Sequence, residues 1–278
     1  IDLGNYCNSA CVFCRPESSS RLAVEFRRIG LISQLPQANW CEDPVLLDRF
    51  VQHLVSSPKL RYIHFIGGET LITPGFERIL RALIAAGVAP RVTMGFTTNL
   101  TEWRQEVIDL LTQFQQVNLG VSVETLTPVN DYVRWPSNIS LTKTLLDQWR
   151  LLAQQQGWLM QMRITPTCLT MHELSTVYDY AWQHQIGVES CNFLQEPEFL
   201  RIGVLPQPQR QAVIDHLREW IKDHAADSDS KILNTRNPDL ARQQIVQDAE
   251  SYCDILSNTA DESHRLPDLI TYLHQLEH

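Results

Sequence analysis

No apolar run in this sequence approaches the ~18–20 residues that a helix needs to span a bilayer, so no membrane segment is expected. No signal-peptide pattern leads it either. Basic charge is scarce: 23 Lys and Arg stand against 32 Asp and Glu, a net charge of −9. Broad nucleic-acid binding normally needs a basic face, so that class of partner is not expected, although a local basic pocket is compatible with the count. The seven cysteines are an odd number, and Cys41, Cys168, Cys191 and Cys253 are scattered. A chain this large without export signals is not expected to rest on a disulfide framework. A reduced, cytoplasmic setting follows. There is no low-complexity tract, and no internal repeat beyond a strand–helix period.

What is present is a globular composition, 44% hydrophobic over 278 residues, enough for one large core or a core with an appendage. Short apolar strands alternate with amphipathic helices. "RYIHFIGGE" reads as a strand ending in a glycine turn, and "TPGFERILRALIAAG" as a helix capped by Thr73 and closed near Gly87. "RVTMGFTTN" precedes a helix capped by Thr101, "VNLGVSVE" a helix closed by Gly157, and "LMQMRITPT" a helix closed by Gly187. "VESCNFL" is the last strand. Upstream, "IDL" reads as a strand remnant and "DPVLLDRFVQHLVSS" as the first complete helix.

Repeated strand–helix units imply parallel strands with right-handed crossovers. Six strands predict an α/β fold, an open six-stranded parallel (β/α)6 partial TIM barrel. Residues 1–205 would form this core. Residues 206–278 read as a helical C-terminal extension, interrupted by the polar linker "DSDSKILNTRNP", that would cover the barrel mouth. The side chains also alternate with period two. Val92, Met94 and Phe96 oppose Thr93, Gly95, Thr97 and Asn99; Val117, Leu119, Val121 and Val123 oppose Asn118, Gly120, Ser122 and Glu124. Ile63 and Phe65 likewise oppose Tyr62 and His64, and Met162 opposes Gln161 and Arg163. Strands buried on both faces would be apolar throughout. The apolar set is therefore expected to face the helices, and the polar set to line a ligand cavity.

"CNSACVFC" places Cys7, Cys11 and Cys14 within eight positions. A structural zinc site needs four ligands, usually from two short cysteine hairpins. No second Cys-x-x-Cys pair exists, and neither Cys41 nor His64 has motif spacing. A zinc-stabilised binding module remains one alternative. A four-iron cluster takes thiolate ligands, and three of them leave one iron open to a small chelating ligand.

The stretch resembles the Cys-x-x-x-Cys-x-aromatic-Cys signature of radical S-adenosylmethionine (SAM) enzymes, with Phe13 as the aromatic residue. "GGET" stands at the end of a strand, where that family carries a Gly-Gly-Glu motif. The open six-stranded barrel is also that family's fold. More narrowly, "VSVETLTPVNDYVRWPSN" and "QEPEFLRIGVLP" resemble segments of Twitch/SPASM-like relatives, many of which mature ribosomally made peptides.

The resemblance implies a set of roles. Cys7, Cys11 and Cys14 would bind one [4Fe-4S] cluster, and SAM would chelate its fourth iron. Gly67 and Gly68 would let the backbone approach the ligand, and Glu69 would accept a hydrogen bond from the SAM ammonium. Arg134 and Arg163 are candidates for the SAM carboxylate, and Ser122 and Glu124 for the ribose. Thr97, Thr98 and Asn99 would line the pocket, where Asn99 could equally cap a helix. His64 and Cys191 are candidate catalytic residues, the latter as a hydrogen donor; each is as readily a core side chain.

The implied reaction is reductive cleavage of SAM to methionine and a 5′-deoxyadenosyl radical, which abstracts hydrogen from a substrate. A precursor peptide is the leading substrate, undergoing epimerisation, cross-linking or splicing. A nucleotide or sugar is the alternative. A small leader-peptide-binding protein and a flavodoxin- or ferredoxin-type electron donor are the implied partners. No auxiliary cluster is expected, because the later cysteines lack cluster spacing.

Overall fold

The computed structural model describes residues 1–276 other than 38, 191–192 and 226–237. In chain order the helices and strands are α1 (Ser20–Arg28), α2 (Pro44–Ser56), β1 (Tyr62–Phe65), α3 (Pro74–Ala85), β2 (Thr93–Thr98), α4 (Gln105–Leu111) and β3 (Gln116–Ser122). There follow α5 (Val129–Val133), α6 (Ile139–Gln156), β4 (Leu159–Arg163), α7 (Leu174–His184), β5 (Gly187–Glu189), α8 (Gln207–Ala225), α9 (Pro238–Asn258) and α10 (Leu266–Leu276). Among the described residues no helix is long and apolar enough to cross a membrane.

Among the described residues the fold is α/β, with one parallel sheet of five strands in the order β1-β2-β3-β4-β5. This corrects the expected six. The "IDL" segment is reduced to a single parallel bridge, Asp2↔Ile66, because the chain turns away at Gly4, whose φ is +115°. The last strand is also shorter than its apolar run. Its continuation includes Cys191, which lies outside the described residues.

The chain divides into two compact units. One comprises Ile1–Ser122 and Arg134–Met160, the other Val123–Val133 and Gln161–His278. In the first, the expected two-sided strands are present. Ile63, Phe65, Met94, Phe96, Val117, Leu119 and Val121 are buried. Phe65 meets Phe76 of α3 with ring centroids 5.6 Å apart, and Phe96 meets Trp149 of α6 at 5.9 Å. Each large side chain so buried contributes roughly 1.5–3 kcal/mol. On the other face, His64, Thr93, Thr97, Asn118 and Ser122 are half-buried. Gly95 has a local reason: a Cβ there would overlap the ring of His64, whose Nδ1 is hydrogen-bonded to the Tyr62 hydroxyl at 3.1 Å.

Helix ends follow the sequence in part. Thr73 precedes α3, Asn138 caps α6 by accepting from the N–H of Leu141, and Gly157 closes α6 in the left-handed region. Two expected ends are displaced. α4 starts at Gln105 rather than after Thr101, because Leu100 adopts φ +59° and the Thr101 hydroxyl is used elsewhere. α7 ends on Gln185, itself left-handed, and Gly187 opens β5 instead. α1 was not expected. Ser19 caps it, accepting from the N–H of Leu22.

In the second unit α8 and α9 pack together, and α9 also packs on α7 and β5. A buried polar cluster lies among them. Asp248 of α9 accepts from the Tyr178 hydroxyl at 2.5 Å and from the Ser190 hydroxyl, while the Tyr252 hydroxyl donates to the Ser190 carbonyl at 2.5 Å. Residues 226–237, which include nearly all of the expected polar linker, lie outside the described residues.

Candidate active site

The three motif cysteines stand on the loop between Gly4 and α1, all as free thiols. Cys11 is buried, and Cys7 and Cys14 are half-buried. The apolar residues Ala10 and Val12 are fully buried, so the loop is rooted between its cysteines. The start of α1 then fastens it. The Cys7 N–H donates to the Ser20 hydroxyl at 3.1 Å, and that hydroxyl donates to the Cys7 carbonyl at 3.2 Å. The Ser19 hydroxyl donates to the Ser9 carbonyl at 2.5 Å. From further along the chain, the Trp135 carbonyl accepts from the N–H of Ala10 at 2.6 Å.

Gly67 and Gly68 follow β1 with φ of +103° and +50°, a region that favours glycine. Their neighbours are the residues leading into the cysteine loop. A Cβ on Gly67 would overlap the Asp2 carboxylate and come within 2.7 Å of the Gly4 carbonyl oxygen; one on Gly68 would overlap the Tyr6 carbonyl. The Glu69 N–H donates to that same Tyr6 oxygen at 2.8 Å. In the structure the glycine pair therefore binds strand end to cysteine loop, backbone against backbone.

Glu69 is 1% exposed. Its Oε2 accepts from the Asn99 N–H at 2.6 Å and its Oε1 from the Leu71 N–H at 3.1 Å. Burial pushes its carboxyl up to about 7, against these hydrogen bonds and the positive charge of Arg134. Asn99 continues the connection. Its Nδ2 donates to Asn8 Oδ1 and to Ser9 Oγ, both at 2.9 Å, and Asn8 Nδ2 donates to the Thr101 hydroxyl at 2.9 Å. Asn99 is thus a bridge between Glu69 and the cysteine loop, and it does not cap α4, whose N-cap is Arg104. Thr98 also hydrogen-bonds Glu69.

Arg134 faces the thiols. It is 9% exposed, lies 5.3 Å from the centre of the Phe13 ring and donates to Cys11 Sγ at 3.8 Å. Burial pushes the Cys7 thiol up to about 11 and raises Cys14, the latter against the pull of Arg134 and Arg15. A metal offsets such a penalty, because a coordinated thiol is deprotonated outright. Three free cysteines on one anchored loop, with a cation at one sulfur, fit a thiolate-ligated cluster. Among the described residues, no three His, Cys, Asp or Glu side chains converge as they would on a single ion. The ligands of a multi-iron group bind separate irons and need no such convergence.

The model of the Radical SAM superfamily matches residues 1–150, more than half of the chain. The chain belongs to the radical SAM superfamily. No curated protein matches it. Among solved structures, native anSMEcpe with bound AdoMet aligns with TM-score 0.54 and 13% identity, over 81% of this chain and 60% of its own. Streptococcus suis SuiB bound to precursor peptide SuiA aligns with TM-score 0.50 and 12% identity, over 80% of this chain and 45% of its own. This radical SAM chain therefore spans roughly half the length of the solved structures it resembles, and shares their fold.

The radical SAM match takes in the cysteines, Phe13, the Gly67–Glu69 turn, Thr97, Thr98, Asn99 and Arg134, all within the first unit. Ser122 ends β3 there, half-buried. Glu124 and Arg163 belong to the second unit. Glu124 is buried, and its Oε2 accepts from the Thr165 N–H at 2.6 Å. Arg163 pairs with Glu189, its register partner on β5, at 3.0 Å. Asn8, Ser9, Ser19, Ser20 and Trp135 also belong to this site, as does Thr101, expected only as a helix cap. The serines before the apolar period of α1 were the one available signal, as an N-cap pattern.

Proposed function

We propose that this protein is a radical SAM enzyme that modifies a ribosomally made peptide. The observation that carries the reading is the three-cysteine loop clamped to the Gly67–Glu69 turn. Cys7, Cys11 and Cys14 would be the thiolate ligands of one [4Fe-4S] cluster with an open iron for SAM. When bound, this group supplies the reaction's chemistry, one electron to the sulfonium and a 5′-deoxyadenosyl radical that abstracts hydrogen from substrate.

The protein's own side chains then hold, orient and shield. Glu69, buried and already accepting two backbone N–H groups, would receive the SAM ammonium; a cation there restores the ionised carboxylate that burial disfavours. Arg134 is the better placed of the two arginines for the SAM carboxylate, since Arg163 is matched to Glu189. Thr97, Thr98 and Asn99 would wall the pocket, and Ser122 and Glu124 would hold the ribose. The polar face of β1 to β3, thinned by Gly95 and Gly120, would exclude water around the reacting C–H bond. A peptide substrate draws its support from the fold shared with peptide-bound SuiB.

The test is anaerobic reconstitution followed by reduction in the presence of SAM. About four irons per chain, and release of methionine and 5′-deoxyadenosine that Cys11→Ala abolishes, are expected. A mass change in a candidate peptide would establish the substrate class. Turnover of a nucleoside or sugar with no peptide product would replace it.

A further inference from the structure

Asn118, near the middle of β3, has a side-chain oxygen that is shut off from solvent and accepts no hydrogen bond from any described residue. Its chain neighbours Val117 and Leu119 are buried against the helices, so the carboxamide stands on the opposite, inner face of the sheet. A buried acceptor in this state bears its full desolvation cost, and native interiors rarely keep one without a reason. Other asparagines of the chain show the structural pattern instead. Asn39, Asn99, Asn130 and Asn138 each accept a backbone N–H at Oδ1, from Asn5, Thr101, Glu124 and Leu141.

The surroundings of Asn118 are built from small residues. Register places His64, Gly95 and Asn118 in one row across β1, β2 and β3, with about 10 Å between the outer two Cα atoms. The middle member has no side chain. The His64 ring takes part of that gap: a Cβ on Gly95 would overlap it, and its Nδ1 is hydrogen-bonded to the Tyr62 hydroxyl. Along β3, toward the end of the sheet that carries the Gly67–Glu69 turn, the next residue on the inner face is Gly120, and Ser122 follows. Asn118 thus has glycine beside it across the sheet and glycine after it along the strand. Its Cα lies about 13 Å from that of Ser122 by strand rise.

We propose that Asn118 is a specificity-determining residue whose carboxamide receives one amide group of the substrate, accepting the amide N–H at Oδ1. An amide answers both halves of a carboxamide, with an N–H for Oδ1 and a carbonyl for Nδ2. The inference rests on the peptide reading above and deepens it. A peptide offers amides in its backbone and in Asn or Gln side chains, whereas a sugar offers hydroxyls. The group bound here would lie deeper in the sheet's inner face than the ribose assigned to Ser122.

The experiment uses the full chain, 15N-labelled. The backbone N–H signals of Gly95 and Gly120 are followed while acetamide, N-methylacetamide, acetone or methanol is added. Acetone copies the shape of acetamide without its N–H. An amide should shift both signals saturably, and acetone should need about tenfold more or fail altogether. Preference for acetamide would name an Asn or Gln side chain as the source, and preference for N-methylacetamide the peptide backbone; either supports the proposal. Asn118→Leu should abolish the amide response and leave the urea midpoint unchanged or higher, because it removes an acceptor that has no donor. Equal response to acetone, a stronger response to methanol, or no saturable response would each overturn the proposal. A lowered midpoint in Asn118→Leu would do the same, by marking the side chain as a structural partner. The comparison on the wild type stands even if that variant does not fold. SAM cleavage by the reconstituted wild type is measured separately. Its absence would sink the radical SAM reading and leave the titration standing, whereas a failed titration would leave SAM cleavage untouched.

Discussion

The backbone N–H of Asn99 donates to Glu69 Oε2 at 2.6 Å, while the side-chain amide of the same asparagine holds Asn8 and Ser9. One residue at the end of β2 thus fixes both the acidic turn after β1 and the loop that carries the cysteines. The site is cross-braced before any ligand arrives.

Replacing Asn99 by Ala removes four side-chain hydrogen bonds from a half-buried position, to Asn8, Ser9 and twice from Thr101, a loss of about 2–4 kcal/mol in urea unfolding. Asn8→Ala should cost less than that on its own. Because the two asparagines share a bond, the double variant should be less destabilised than the sum of the singles. Strict additivity would show that the bridge carries no coupling.

Gly68→Ala and Gly87→Ala offer a matched pair, with φ of +50° and +66°. A Cβ on Gly87 meets nothing within 4 Å, whereas one on Gly68 overlaps the Tyr6 carbonyl. Gly87→Ala should cost about 1–2 kcal/mol, the left-handed penalty alone. Gly68→Ala should cost distinctly more and lower the iron bound per chain on reconstitution. Equal thermal shifts would contradict the close approach.

Arg134→Ala removes the cation at Cys11 Sγ. Hydrogen bonds to cluster sulfurs raise reduction potential, so the reconstituted variant should show a more negative potential in an EPR-monitored titration. It should also need more SAM for half-maximal cleavage. Arg134→Lys should recover part of both. A potential unmoved in both variants would count against the contact.

Asp248 gives the expected pH dependence of the second unit. Burial raises its carboxyl, against the hydrogen bonds from Ser190 and Tyr178. With the folded value above the unfolded one, its stabilising contribution is complete below the ordinary carboxylate range and is lost as pH rises through the raised value. Relative to wild type, Asp248→Asn should therefore gain stability as pH rises from about 4 toward 7 in urea unfolding. The reverse trend would show that the two hydroxyl donors outweigh burial.

Much of the frame was legible because it obeys local rules. The alternation of Met94 and Phe96 against Thr93 and Thr97 located the helix-facing side of the sheet, and Gly157 marked the end of α6. What escaped depended on distant partners. The Thr101 hydroxyl is claimed by Asn8 and Asn99, so the expected cap is missing; Arg163 meets Glu189 on another strand. The Gly67–Gly68 pair was legible as a turn, but its closeness to Asp2 and Tyr6 needed the fold.

The cysteine loop borrows its fastenings from Ser20, Gly68, Asn99 and Trp135, which are spread over more than a hundred residues of chain. A synthetic peptide copying "CNSACVFC", or a transplant of those eight residues into a foreign scaffold, would carry the ligands and leave their mounting behind. During synthesis on the ribosome, iron loading would accordingly have to wait until Trp135 has emerged.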